Sequence, residues 1–204
     1  MIMSLVERII GRFKAARRMS AFYMSENPRY RQYDIGEFTY GNPKVVDYGD
    51  TGLKIGKFCS IAEDVKFILG GNHRTDWFTT YPFNVLRPEF QDIKGHPKTK
   101  GDLIIGNDVW IATGATILSG LTIGDGSIIG ACTLVAKDVP AYSIMAGNPG
   151  RIVRQRFSDE EIDLLLTMQW WDLSSEEINV LIPFLQADDF SGLRNAYFSL
   201  GHVR

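Results

Sequence analysis

Residues able to do chemistry crowd one stretch of this 204-residue chain. It reads Gly70-Gly71-Asn72-His73-Arg74-Thr75-Asp76-Trp77, then Tyr81-Pro82-Phe83, with His96 further on. Two of the chain's three histidines fall here. An imidazole, with an ordinary pKa of about 6.5, exchanges a proton near neutral pH. Asp76, three residues after His73, could orient that ring or a bound group. Trp77, Tyr81 and Phe83, with Tyr40 and Tyr48 upstream, offer the flat faces and hydroxyls that line small-molecule sites. His96, beside Pro97 and flanked by lysines, carries no such pattern and reads as a surface residue. A second group, Lys137, Arg151, Arg154 and Arg156, gathers cations that could hold phosphate or form a solvated basic rim.

These residues hang on a repeat. From Ile105 every sixth position is aliphatic: Ile105, Ile111, Ile117, Ile123, Ile129 and Val135. The next position holds Gly106, Ala112, Leu118, Gly124, Gly130 and Ala136, and the fifth holds Val109, Ala115, Leu121, Ser127, Thr133 and Val139. A six-residue period matches the two-residue alternation of a strand and not a 3.6-residue turn. It predicts short strands, each offering one aliphatic residue inward, with a small residue where the chain bends. Such units bury their apolar faces only by stacking into a solenoid. Ile55-Gly56-Lys57-Phe58-Cys59-Ser60 and Ile61-Ala62-Glu63-Asp64-Val65-Lys66 carry the same spacing, and Ile35 to Tyr40 is an imperfect first hexad. Gly41 to Leu53, rich in turn residues, breaks the period. Residues 70-101 form an excursion after which the repeat returns in register. Long loops on stiff scaffolds are usually functional.

The expected organisation is an N-terminal helical segment over 1-30, a solenoid over 31-157 and C-terminal helices over 158-204. Met1 to Met24 reads as an amphipathic helix, with Leu5, Val6, Ile9, Ile10 and Phe13 against Arg8, Arg12, Lys14, Arg17 and Arg18. Packing on the solenoid or on another subunit is its expected fate, with weak contact to an anionic membrane surface as a secondary one. Ser158-Asp159-Glu160-Glu161 and Ser174-Ser175-Glu176-Glu177 are capping boxes opening two helices, and a third is expected from Phe190 to Leu200. They are read as a cap on the solenoid's open end.

Composition narrows the function. A net charge of −2 and a pI near 5.9 supply no basic field for nucleic acid. Cys59 and Cys132 sit inside hexads, without metal-like spacing, and read as small core thiols in a reducing compartment. No apolar run of about 18 residues spans a membrane, and the N-terminus lacks a signal-peptide pattern. A cytoplasmic protein is expected.

Taken together, Ile55-Gly-Lys-Phe-Cys-Ser-Ile61, Gly71-Asn72-His73-Arg74, Tyr81-Pro82-Phe83, Ile105-Gly-Asn-Asp-Val-Trp-Ile111, Gly147-Asn148-Pro149 and Arg156-Phe157-Ser158-Asp159 resemble the hexapeptide-repeat acyltransferases. They are most similar to the xenobiotic acetyltransferase subfamily. That subfamily includes type B chloramphenicol and streptogramin acetyltransferases and polysaccharide-associated acetyltransferases. The resemblance covers roughly residues 35 to 185. It implies a mainly β, left-handed parallel β-helix with a protruding loop. It also implies transfer of acetyl from acetyl-CoA, by direct attack of a hydroxyl or amine, at sites between subunits of a homotrimer.

On that resemblance His73 matches the catalytic histidine, the base that takes the acceptor's proton as it attacks the thioester. Trp110 matches a tryptophan beside the active site, where it walls the acceptor pocket or positions the base; a plain covering by a neighbouring subunit is the alternative. Ala112, Gly130 and Ala131 fall at corners where a pantetheine arm could approach backbone. Lys137, Arg151, Arg154 and Arg156 lie where the nucleotide end is held. Backbone N–H groups near the corners serve the oxyanion, without identification of which ones. No metal is implied, since coil positions carry no set of histidines such as a hexapeptide carbonic anhydrase needs.

For the acceptor, Gly41 to Gly49 and His73 to Trp77 look more like the polysaccharide-associated branch, so a sugar such as a nucleotide-linked amino sugar is the expectation. Antibiotic inactivation is the alternative. A non-catalytic trimeric scaffold is a reading from another class, for which His73 would be superfluous.

Overall fold

The computed structural model describes residues 22–201. The helix expected over the N-terminus, with its membrane contact, falls almost wholly outside those residues. Met24–Glu26 within them is a single 3-10 turn.

Three parallel sheets wind around one core. The first stacks Asp34–Ile35, Leu53–Ile55, Leu103–Ile105 and Leu121–Ile123. The second stacks Ser60–Ile61, Trp110–Ile111, Ile128–Ile129 and Ser143–Ala146, and Arg151–Gln155 adds an antiparallel strand at its end. The third stacks Lys44–Asp47, Lys66–Leu69, Thr116–Leu118 and Leu134–Val135. The chain visits the sheets in rotation, as the six-residue period requires, and the arrangement fits a left-handed β-helix.

The regular sides of the coils turn two residues inward, where the sequence reading expected one. Cys59 and Ile61, Val109 and Ile111, and Ala115 and Ile117 are all buried, as are Leu103 and Ile105 on either side of exposed Ile104. The fifth hexad position is therefore the partner of the following lead, two residues before it, and both belong to one core. Ser127 takes this place with its hydroxyl donating to the Gly124 and Pro140 carbonyls, at 2.7 and 2.9 Å.

The second hexad position, Leu118 apart, is small because another coil lies against it. A Cβ on Gly56 would stand 2.6 Å from the Gly106 backbone, and one on Gly124 would stand 2.4 Å from Ala141 N. The fourth position takes up the corner with positive φ, at Phe58 (58°), Asp64 (61°), Asp108 (54°) and Cys132 (57°), and at Gly114 and Gly120 (72° each). This places Cys132 on the exposed corner rather than in the core, while Cys59 is buried.

The period does not lapse at Gly41. Lys44–Asp47 is the third side of the first coil, with Val45 opposite Phe67. Only the spacing shifts, and a hexad count therefore misses the strand.

Besides the short helix α1 (Phe83–Leu86) of the excursion there are α2 (Asp159–Met168), α3 (Ser175–Leu185) and α4 (Phe190–Ser199). The segment they form packs along the edge between the first and second sheets, where Asp172 pairs with Lys57 and Trp170 meets Phe58, and not over the open end that the sequence reading assigned to it. Ser158 and Ser174 cap α2 and α3 through reciprocal bonds with Glu161 and Glu177. Ile162, Leu165, Met168, Leu181, Leu193 and Tyr197 form a second core with Tyr142. Among the described residues no helix is long and apolar enough to cross a membrane.

The alternation yields a direct test. Ile123→Ala should lower the unfolding free energy by about 2–5 kcal/mol, whereas Thr122→Ala, facing outward on the same strand, should change it by less than about 0.5 kcal/mol. Urea titration of both variants measures the difference.

Candidate active site

The excursion is clasped where it leaves and rejoins the solenoid. Asn72 and Lys98 exchange two backbone hydrogen bonds, at 3.1 and 2.8 Å, and the Thr51 and Thr99 hydroxyls meet at 2.7 Å. Gly71, at φ 69°, leaves no room for a side chain, since Tyr48 lies over it at 2.4 Å from where a Cβ would be. Leu53 and Leu103 pair directly beneath, so the coils stay in register.

His73 stands exposed just beyond this clasp. Its Nδ1 lies 2.6 Å from the Thr80 carbonyl oxygen. A carbonyl only accepts, so Nδ1 carries the hydrogen, and the neutral ring presents its lone pair at Nε2. The His96 ring packs edge-on against it, with centroids 4.8 Å apart at 88°. His96 is thus no surface residue. Both of its ring nitrogens are buried without a partner, and its carbonyl accepts from Asn84 Nδ2 at 3.0 Å. Its flanking residues gave no signal for this pairing.

Asp76 does not take the orienting role allowed to it. Its carboxylate is gripped by Arg74, with Nε to Oδ1 at 2.7 Å, and that guanidinium holds the carboxyl well below the usual range. Arg74 also lies 5.0 Å from the Trp77 ring centroid, so the pair braces the loop.

Asp76, Trp77, Tyr81 and Phe83 do come together, lining an open, mainly apolar cavity of about 360 Å³ with Phe78 and Ile93. The remaining candidates lie elsewhere on the chain. Tyr40 is on the second sheet's side, stacked on Phe22 at 5.4 Å. Trp110 faces outward from that sheet, 51% exposed, between Ser60 and Ile128. Ala112, Gly130 and Ala131 mark the edge between the second and third sheets. Lys137 lies on the edge from which the excursion departs, further along the solenoid. Arg151 and Arg154 sit exposed on the antiparallel strand, near backbone carbonyls at 3.0 and 2.8 Å.

Arg156 is turned inward. It donates to the Gly126 carbonyl, lies 3.8 Å from Asp108 Oδ2 and faces the Phe157 and Tyr142 rings at 4.8 and 5.6 Å. Those contacts commit the guanidinium to the chain's own corner and leave it unsuited to phosphate. Burial pushes Asp108 up to about 6, outweighing Arg156's opposite pull. Among the described residues no group of three or more His, Cys, Asp or Glu could hold a metal.

Comparison with known proteins fits this geometry. Residues 102–137 match the bacterial transferase hexapeptide family of six repeats. A chloramphenicol acetyltransferase of Agrobacterium fabrum is 42% identical over 151 residues, covering 72% of each chain. A "Probable macrolide acetyltransferase" of Lysinibacillus sphaericus is 52% identical over 130 residues, covering 62% of this chain and 72% of that one. A virginiamycin A acetyltransferase of Staphylococcus aureus is 42% identical over 176 residues, covering 78% and 80%. Chains this similar over most of their length share a fold and a chemistry, and this one belongs to the hexapeptide-repeat acetyltransferases, in the branch of the chloramphenicol and virginiamycin enzymes.

The Asp108 corner allows a stability test. A carboxyl raised in the folded state contributes stability that is complete below its ordinary range, near 3.8, and lost as pH rises through about 6. Asp108→Asn should therefore raise Tm above pH 6 and flatten its decline between pH 4 and 6. The side chain keeps 36% of its surface, so solvent screening holds the gain to a few degrees. Scanning calorimetry across pH measures it.

Proposed function

We propose that this protein transfers acetyl from acetyl-CoA to a hydroxyl of a hydrophobic antibiotic, of the chloramphenicol, macrolide or streptogramin kind, with His73 as general base. The carrying observation is the bare Nε2 of a ring held by the Thr80 carbonyl, on the same excursion as an aromatic cavity of small-molecule size. The names of the relatives favour an antibiotic over the sugar that Gly41 to Gly49 and His73 to Trp77 suggested.

In this reading the acceptor's apolar body lies against Trp77, Tyr81 and Phe83, and Tyr48 walls the base of the loop. Its hydroxyl donates to His73 Nε2. As oxygen attacks the thioester carbonyl carbon, the proton passes to the imidazole. The C–O bond forms, the C–S bond breaks, and the imidazolium returns a proton to the departing thiolate. The Thr80 carbonyl suits this cycle because it holds Nδ1–H throughout and stabilises the transient cation.

His73 lies at the edge between the third and first sheets, Trp110 on the outer face of the second, and Ala112, Gly130 and Ala131 at the edge between the second and third. A site using all of them needs a second copy, and a homotrimer with composite sites is the assembly proposed. Lys137, Arg151 and Arg154 remain the cations proposed for the nucleotide end of CoA, without Arg156.

Thiol release followed with a 5,5′-dithiobis reagent, across chloramphenicol, a macrolide, virginiamycin and amino-sugar nucleotides, tests the reading. Turnover is expected with at least one antibiotic, and turnover of sugars alone would overturn the acceptor class. His73→Ala should lower kcat/KM by about 10²–10⁴-fold with Tm retained. Undiminished turnover by a correctly folded variant would remove His73 from the mechanism.

A further inference from the structure

His96 is the histidine of the excursion that the reaction leaves unused. Its two ring nitrogens are buried, and neither has a hydrogen-bond partner. Leaving polar atoms in that state is costly, and a phenyl ring would carry none. Orphaned groups of this kind call for a role beyond packing. The nitrogens lie out of reach of solvent, so the role is not contact with a guest. What the ring does touch is His73, edge-on at 88° with centroids 4.8 Å apart. Its next aromatic neighbour, at 6.4 Å, is Trp77, a wall of the aromatic cavity.

The chain on either side of His96 is pinned. Its own carbonyl and that of Ile93 both accept from Asn84 Nδ2, each at 3.0 Å. The Gly95 carbonyl just before it accepts from Arg74 Nη1 at 3.2 Å. Two residues after it, Lys98 closes the backbone clasp with Asn72, the neighbour of His73. These bonds hold the two histidines against one another. The base gains from that support. The terminal torsion of an imidazole is broad, and the Thr80 carbonyl holds only Nδ1, so the far edge with Nε2 can swing about that bond. A second ring at right angles removes the swing.

We propose that His96 is a positioning residue for acetyl transfer. It fixes the plane of the His73 ring, so that Nε2 meets the acceptor hydroxyl, and it supports the charge His73 gains on taking that proton. A ring nitrogen without a partner, shielded from water, keeps its electron density unshared beside the developing cation, where weak screening strengthens the attraction. The inference rests on His73 acting as the base.

The assembled full chain carries the test, because Leu53 and Leu103 keep the solenoid in register whatever the excursion contains. His96→Ala should lower kcat about 10²-fold, with Tm retained and KM for acetyl-CoA and for the antibiotic within about twofold of the parent. His96→Phe, which keeps a ring but no nitrogen, should recover part of that loss and stay about tenfold below the parent. In a His73→Ala background the same His96→Ala change should alter turnover by less than about twofold, since a residue acting through another has nothing left to act on. Independently of turnover, nitrogen–proton correlation spectra of protein carrying labelled histidine should show His73 protonated at Nδ1 alone in the parent and a mixture of tautomers in His96→Ala. Parent-like kcat or an unchanged single tautomer in His96→Ala, full recovery in His96→Phe, or an equal loss in both backgrounds would each overturn the proposal. Undiminished turnover by His73→Ala would remove the base, and this inference with it.

Discussion

The backbone of one coil lies directly on the backbone of the next, and this close approach governs the rest of the molecule. Parallel ladders on three sides bring coils near enough that Gly56 and Gly124 have no space for a methyl group. Every coil must then present the same inward pair at the same height, or its neighbours could not close around it. The columns that result are fully desolvated: Ile105, Ile111, Ile117, Ile123, Ile129 and Val135 are each at most 1% exposed. At about 25 cal/mol per Å² of apolar surface buried, such a continuous core is the main stabilising term, and side chains facing outward are left free for other work.

The repeat was legible because the six-residue period and the three-sided coil are the same fact seen in sequence and in space. What stayed hidden were features in which one residue type serves two geometries. Lys44–Asp47 escaped because its strand is shifted against the count that Ile35 begins. Cys132 looked like a core thiol because it sits in a hexad, yet it occupies the corner position with positive φ, where Gly114 and Gly120 stand in preceding hexads. Comparing the fourth positions of successive hexads would have revealed it. In the excursion, the grouping of Trp77, Tyr81 and Phe83 was legible in the sequence, while His73 stands outside the cavity they line. The Thr80 carbonyl and His96 were not legible, because a backbone acceptor and a ring edge leave no trace in residue type.

Charges in the excursion and at the opposite corner behave differently for a physical reason. Asp76 meets an arginine two residues away and stays ionised, bracing the loop beneath Trp77. Asp108 has only a distant guanidinium and a half-buried setting, so its neutral form persists up to about pH 6. Identical carboxylates thus serve as a fixed brace in one place and as a proton-responsive group in the other, according to whether a partner lies within hydrogen-bond distance.

Because Leu53 and Leu103 pair as neighbours although the whole excursion lies between them, the solenoid's integrity does not depend on what that segment contains. Insertions, deletions and replacements there leave the hydrogen-bonded ladder untouched. Chemical selectivity and thermodynamic robustness are therefore inherited separately, and evolution can exchange the guest a protein of this shape accepts without first rebuilding its frame.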